Sequence, residues 1–283
     1  MQKPIPIIVG PTASGKSKFS IAVAKRINGE IINADSLQVY KDIQILSARP
    51  TQAEQEGIPH HLYGYMNAFE TSSVMGWLKD VEEIIKNIKN PVFVGGTGLY
   101  VKALVEGISP MPDIPPEIRE QVRNMDIEEV KTKVKECVAI DPQRLRRALE
   151  VELTTGKSFL YFQNQKKIKL IDKEFQIFFL NPPRNILYER CDKRFIKMLT
   201  EGAIEEVKYL NSINANGGIT KAIGIKQISK WLKGEISNQE MIEDACKETR
   251  HYAKRQITWF KNQFKDKITF TPEQISDILN SYF

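Results

Sequence analysis

The run Gly10-Pro11-Thr12-Ala13-Ser14-Gly15-Lys16-Ser17 matches G-x-x-x-x-G-K-[ST] without a gap, and it constrains the fold more than any other segment. A short apolar stretch, Ile5 to Val9, precedes it, and a helix-compatible stretch, Ser17 to Ile27, follows. Strand, glycine-rich loop and helix in that order make a phosphate-binding P-loop, because the loop N–H groups and the helix N-terminus converge on an anion. Lys16 adds a mobile positive charge, and the Ser17 hydroxyl can hold Mg2+ on the same phosphates. The loop therefore predicts a bound diphosphate or polyphosphate. It does not say which one, or what is done to it.

Apolar runs at Ile5–Val9, Glu30–Ala34, Pro91–Gly95, Phe175–Leu180 and Ile268–Phe270 alternate with helical patterns at Lys16–Ile27, Val74–Asn87, Pro142–Thr155, Asn185–Leu199 and Gln239–Phe264. That alternation predicts an α/β fold, a P-loop NTPase-like parallel sheet flanked by helices, ending in a helical C-terminal region. Residues 110–140 interrupt it. Pro110, Pro112, Pro115 and Pro116 stiffen its start, and Ile118, Val122, Met125, Ile127, Val130, Val134 and Val138 then recur at helical spacing. The expected organisation is an α/β core over 1–112, a small helical insertion over 113–140 packed on, or hinged to, the main body, and the remainder of the core with C-terminal helices facing a nucleic-acid partner over 141–283.

With 41% hydrophobic and 27% charged residues the chain has the composition of a globular protein, which argues against a disordered one. No apolar run approaches the ~20 residues of a membrane span, so no membrane partner is expected. Cys137, Cys191 and Cys246 show no C-x-x-C spacing and there are only three histidines, which argues against a zinc site or a disulfide framework. A reduced, cytoplasmic monomer is the expectation. The net charge of +6 fits an anionic macromolecular partner or a merely lysine-rich surface. Basic residues gather at Arg144, Arg146 and Arg147, at Lys166, Lys167 and Lys169, and at Lys247, Arg250, Lys254 and Arg255, several beside aromatics, as in nucleic-acid grips.

Ligands of a parallel sheet lie beyond the carboxyl ends of its strands. Asp35-Ser36 follows the second strand and Gly95-Gly96-Thr97-Gly98 ends the Pro91–Gly95 strand, so both should face the P-loop. Asp35 can assist a Mg2+, act as a general base, or cap the next turn. Thr97 can donate to a bridging or leaving oxygen, or satisfy local backbone. Arg190 and Arg194 share a helical face that Met198 continues, and can close over phosphates or pair with Glu189 and Asp192 in solvent. His60-His61 would point to opposite faces of an extended segment, one packed and one polar, which suits no shared metal.

These motifs, with Asp35-Ser36-Leu37-Gln38-Val39-Tyr40, Pro59-His60-His61-Leu62, Gly95-Gly96-Thr97-Gly98-Leu99-Tyr100, Asp141-Pro142-Gln143-Arg144-Leu145-Arg146-Arg147-Ala148-Leu149-Glu150 and Ala253-Lys254-Arg255-Gln256-Ile257-Thr258-Trp259-Phe260, stand in one order over nearly the whole chain. The set resembles the bacterial tRNA dimethylallyltransferase family, also called tRNA isopentenyltransferases or IPP transferases. The resemblance implies that dimethylallyl diphosphate gives its prenyl group to the N6 amine of the tRNA adenosine 3′-adjacent to the anticodon, releasing diphosphate. It assigns Asp35 as general base and Thr97 to the bridging oxygen; charge on the leaving diphosphate then calls for Lys16, a Ser17-bound Mg2+ and Arg194, with the choice between Arg190 and Arg194 left open. It assigns the donor's diphosphate to Gly10, Pro11, Thr12, Ala13, Ser14, Gly15, Lys16 and Ser17. Asp35, Ser36, Leu37, Gln38 and Thr97 would touch the flipped adenosine and its surroundings, and Arg119, Gln143, Arg144, Leu145, Arg146 and Arg147 the anticodon stem-loop. The segment from Arg119 to Asp141 is shorter than in typical members, which implies a reduced insertion, and Ile225 in Ala222–Gln227 stands where tyrosine is usual.

Three other readings share the P-loop: prenyl transfer to free adenylate, a small-molecule kinase, and a nucleic-acid-binding NTPase switch. The Gln143–Arg147 cluster and the C-terminal basic helix favour a macromolecular acceptor. No Asn-Lys-x-Asp motif supports the switch.

Overall fold

A computed structural model describes residues 3–135 and 141–283; Cys137, Val138 and the end of the expected insertion lie outside them. The elements run β1 (Ile5–Val9), α1 (Lys16–Ile27), β2 (Glu30–Asn33), β3 (His60–His61), α2 (Val74–Ile84), β4 (Pro91–Gly95), α3 (Gly98–Glu106), α4 (Pro116–Asn124), α5 (Ile127–Lys133), α6 (Pro142–Thr155), α7 (Phe159–Gln163), β5 (Phe175–Leu180), α8 (Arg184–Glu201), α9 (Ala203–Ser212), α10 (Ile225–Leu232), α11 (Asn238–Gln263), β6 (Ile268–Phe270) and α12 (Ile275–Tyr282). By its internal contacts the chain forms two compact units, Met1–Val105 with Leu170–Phe283, and Glu106–Lys169.

The first unit is a six-stranded sheet in the order β3-β2-β4-β1-β5-β6, parallel throughout. Strands covered on both faces need continuous apolar runs rather than alternation. Pro91–Gly95 is buried at every position and Ile5–Val9 at all but the first. Register sets the floor of the site. Val9 lies opposite both Gly95 and Phe179, and Asn33 opposite Val94, so the chain leaves β1, β2 and β4 at one edge. Gly95 is required there, since a Cβ would stand 2.1 Å from the Ala34 carbonyl oxygen. A second apolar cluster, from Val39, Tyr40 and Ile43 to Phe195, Val207 and Ile228, joins the loop after β2 to α8–α11. Ile225 is buried in that cluster, so at this position an aliphatic side chain packs in the interior.

All five expected strands and all five expected helices form, with ends shifted by a residue or two and Val74–Asn87 finishing as a 3-10 turn after Ile84. Local chemistry explains the starts. Ser73 accepts from the Gly76 N–H, Asp141 from Arg144, and Ser237 forms a reciprocal capping box with Glu240. β3, α3, α7, α9, α10 and α12 have no counterpart in the sequence reading. The two histidines form β3 against β2, with His60 Nδ1 2.8 Å from the Ile58 carbonyl and His61 Nε2 2.6 Å from Glu30.

The second unit holds α4 to α7. It buries Val122, Val130, Leu145 and Leu149, with Ile118, Met125, Ile127 and Val134 around them. Helix α6 lies within this unit, so the short helices have a small core of their own. A bridge between Ile108 and Ile168, with two hydrogen bonds of 2.9 and 2.8 Å, joins the two ends of the unit.

Candidate active site

A cavity of about 380 Å3 opens over the carboxyl edge of the sheet in the first unit. Its floor is the loop Thr12–Ser17, and Asp35, Leu37 and Gln38, the segment Leu46, Ser47 and Ala48, and helices α8 and α11 also line it. Two left-handed residues, Ala13 at φ 62° and Gly15 at φ 95°, turn the loop into a concave nest. Ser14 Oγ is buried there without a hydrogen-bond partner among the described residues, which suits an incoming anion. Gly10 and Pro11, expected among the diphosphate ligands, do not line the cavity. A Cβ at Gly10 would lie 2.7 Å from the Leu180 carbonyl oxygen, and Pro11 is buried and has no N–H to give.

Three cations, Lys16, Arg190 and Arg194, face this cavity with one carboxylate, Asp35. Burial pulls the Lys16 ammonium down to about 8; nearby Asp35 opposes the shift and Arg194 reinforces it. Burial also lowers Arg194, against the pull of Cys191 and Asp35. Arg194 Nη2 donates to Thr12 Oγ1, which fixes the guanidinium beside the loop. The solvent partners expected for the arginine pair are taken: Glu189 bonds Lys193 at 2.5 Å, and Asp192 holds Arg250 at 2.6 and 2.7 Å. Arg190, Arg194 and Met198 follow one another on α8 at about 6 Å per four residues, so the wall grades from cationic to apolar, with Phe195, Leu46 and Ile223 also lining the cavity.

Asp35 does two things. Its Oδ1 accepts from the Leu37 N–H at 3.0 Å, as a cap would, while its Oδ2 lies toward Gly96, 3.4 Å from where a Cβ there would stand. Buried Asn33 clamps its backbone, accepting from the Asp35 N–H and donating to the Asp35 carbonyl, both at 2.9 Å. Thr97 Oγ1 accepts from the Ser36 N–H at 2.9 Å, the local backbone role, and lies 3.2 Å from Ser36 Oγ, a contact its rotatable proton can exchange for a ligand oxygen. It ties the glycine-rich turn to the segment after β2.

The C-terminal motif also reads differently in three dimensions. Ala253, Gln256, Ile257 and Phe260 are buried, whereas Lys254, Arg255 and Thr258 stay exposed. Gln256 Oε1 accepts from the Thr12 N–H at 2.8 Å and its Nε2 donates to the Gly96 carbonyl at 2.9 Å, bracing the P-loop against the Gly95-Gly96 turn. Thr249, Tyr252 and Gln256 all line the cavity from one face of α11, and the spacing i, i+3, i+7 was the available signal. Replacing Gln256 by Leu leaves a buried N–H and a buried carbonyl unpaired; urea unfolding should show a loss of about 2–5 kcal/mol.

Of the six residues read as tRNA contacts on α4 and α6, one is buried and two arginines are half-buried and bonded within the second unit. Leu145 is buried in the small core. Arg146 Nη1 caps α4 by donating to the Val122 carbonyl and, at 3.2 Å, to that of Arg123. Arg147 donates to Glu150 at 3.2 Å and to the Pro112 carbonyl at 3.4 Å. Arg119, Gln143 and Arg144 are exposed.

For a divalent cation the cavity offers hard oxygens, the Ser17 hydroxyl and the Asp35 carboxylate. Among the described residues no group of three or more His, Cys, Asp or Glu could hold a metal. A cation here would share its shell with phosphate oxygens and water, the habit of Mg2+. No helix among the described residues is long and apolar enough to cross a membrane.

A family profile described as IPP transferase matches residues 38–263, and one described as isopentenyl transferase matches residues 3–64. The chain is 44% identical to the tRNA dimethylallyltransferase of Rhizobium etli, over 92% of this chain and 94% of that one. It is likewise 44% identical to that of Zymomonas mobilis, over 92% of this chain and 88% of that one. Among solved structures, the tRNA isopentenylpyrophosphate transferase of Bacillus halodurans superposes with a TM-score of 0.73 at 30% identity, covering 99% of this chain and 95% of that one. A eukaryotic dimethylallyltransferase acting on tRNA gives 0.81 at 29% identity, covering 99% and 76%.

Proposed function

The chain belongs to the IPP transferase family, and on that premise we propose that it moves the dimethylallyl group of dimethylallyl diphosphate to the N6 amine of the tRNA adenosine 3′-adjacent to the anticodon. The observation that carries this reading is the sharing of one cavity by a cationic P-loop cradle, an apolar wall and the Asp35 carboxylate. The diphosphate would lie on the Thr12–Ser17 nest between Lys16 and Arg194, and the prenyl chain toward Phe195 and Met198.

An adenine amine is a weak nucleophile because its lone pair is delocalised into the ring. As the N6–C1 bond forms and the C1–O bond breaks, Asp35 takes the N6 proton, and the bonding pair leaves with the diphosphate. Lys16 and Arg194 meet the negative charge that develops there. Ser17 would hold Mg2+, which when bound neutralises phosphate charge. The Leu37 N–H keeps the carboxylate oriented, Asn33 fixes the backbone that carries it, and Thr97 holds Ser36 beside it. The adenosine must leave its stack to reach such a carboxylate, at a cost of about a few kcal/mol, which backbone contacts on a basic surface offset.

The assay incubates the protein with Mg2+, dimethylallyl diphosphate and unmodified tRNA, with an anticodon stem-loop and AMP as parallel acceptors. Prenylated adenosine in tRNA is expected. Prenylated AMP with tRNA untouched would move the assignment to the free-nucleotide enzyme, and ATP-dependent phosphoryl transfer without prenylation would end it. The exposed Arg119 and Arg144 are the arginines to truncate for tRNA contact. Each substitution to Ala should lower the slope of log affinity against log salt by about one, whereas Arg146→Ala should instead destabilise the second unit.

A further inference from the structure

One wall of the cavity is made by a segment with no regular secondary structure. Leu46, Ser47 and Ala48 line it, and Ala48 sits in the left-handed region at φ 52°. What holds such a wall in shape comes from 160 residues away. The Glu206 carboxylate, in the first turn of α9, accepts three successive backbone N–H groups: Gln44 and Ile45 at 2.7 Å on Oε1, and Leu46 at 3.0 Å on Oε2. Three donors converging on one anion form a nest occupied by the protein's own side chain. From the wall the chain of contacts continues inward. The Gln38 amide donates to the Ser47 and Ala48 carbonyls at 3.1 and 2.9 Å, and Gln38 ends the segment that begins at Asp35.

We propose that Glu206 is a positioning residue for the acceptor side of the reaction: its carboxylate sets the 44–48 wall, which through Gln38 sets the Asp35–Gln38 segment. This rests on the proposed tRNA prenyl transfer. Glu206 lines no part of the cavity and touches no reacting atom. Its influence should fall on the acceptor, because the P-loop half of the site is braced separately by Gln256 and Arg194.

The substitution Glu206→Gln keeps the shape but turns one acceptor oxygen into an NH2 that faces backbone donors. Glu206→Asp keeps the charge and withdraws it by one CH2. With wild type alongside, three quantities are measured: kcat/KM for tRNA at saturating dimethylallyl diphosphate, the affinity for inorganic diphosphate, and amide hydrogen exchange over 44–48. For E206Q the expected result is a fall of about 10- to 100-fold in kcat/KM, diphosphate affinity within about twofold of wild type, and faster exchange at 44–46. E206D should fall between the two. A variant with wild-type kcat/KM, unaltered exchange at 44–46, or diphosphate affinity reduced in parallel would overturn the proposal. If E206Q does not fold, E206D carries the same criteria. A wild-type enzyme that prenylates no tRNA would sink the functional reading itself, and this proposal with it; an active wild type beside an unaffected variant would sink only the role of Glu206.

Discussion

Replacing Asp35 by Asn should lower turnover by about 10²- to 10⁴-fold while the tRNA dissociation constant stays within about threefold of wild type. The substitution is chosen for its shape. Oδ1 of Asp35 caps the Leu37 N–H, and an amide oxygen in the same place can still do so. Asn33 holds the backbone of residue 35, not its side chain, and is untouched by the change. What is lost is a group able to accept a proton and the charge that faces Lys16 and Arg194. Single-turnover kinetics with saturating tRNA reads the chemical step; filter binding reads affinity. A variant that binds tRNA poorly but turns over normally once saturated would return Asp35 to a purely structural role.

The second large effect concerns Lys16. Substitution by Ala should cost about 10²- to 10³-fold in kcat/KM for dimethylallyl diphosphate, the scale of losing one charge-stabilising donor in an enclosed site. The pH dependence gives a sharper check. Burial lowers this ammonium to about 8, so in the unliganded protein the charge is present at pH 7 and lost as pH rises through about 8. Affinity for inorganic diphosphate should therefore weaken across that range in wild type, beyond any weakening seen with K16A. The sign for stability runs the other way. The folded-state pKa lies below the ordinary 10.5, so the unfolded chain binds more protons between about 8 and 10.5, and Lys16 contributes a stability that rises with pH in that window. A K16A protein whose diphosphate affinity falls with pH as steeply as wild type would remove Lys16 from the cradle.

The regular elements with strong local signatures were legible in the chain. Pro91–Val94 reads as a buried strand because both faces are covered, and the helical pattern over Gln239–Phe264 marks α11 before any neighbour is known. Elements without such signatures were not. The two-residue β3 exists only as a partner of β2, and α9 begins directly from Gly202, which also ends α8. Arg146 and Arg147 show the same limit at the level of side chains. Their position in a basic run on a helix suggests an exposed stripe, yet one caps α4 and the other braces Pro112. Tertiary packing, not composition, decided which arginines of α6 remained for solvent.

What the chain determined by itself was the strand, P-loop and helix with Lys16, the parallel sheet around them, and Asp35 at the end of the second strand. Each of these rests on local spacing, which survives without knowledge of distant neighbours. The tertiary structure decided how the hydrogen-bonding groups are spent. Gln256 braces Thr12 across 244 residues, Thr97 accepts from the Ser36 N–H across 61, and Glu206 holds the wall at Ile45 across 161. A donor or acceptor has few bonds to make, and only the folded chain shows which partner takes them. That accounting separates the groups left for substrate from those that hold the site in place.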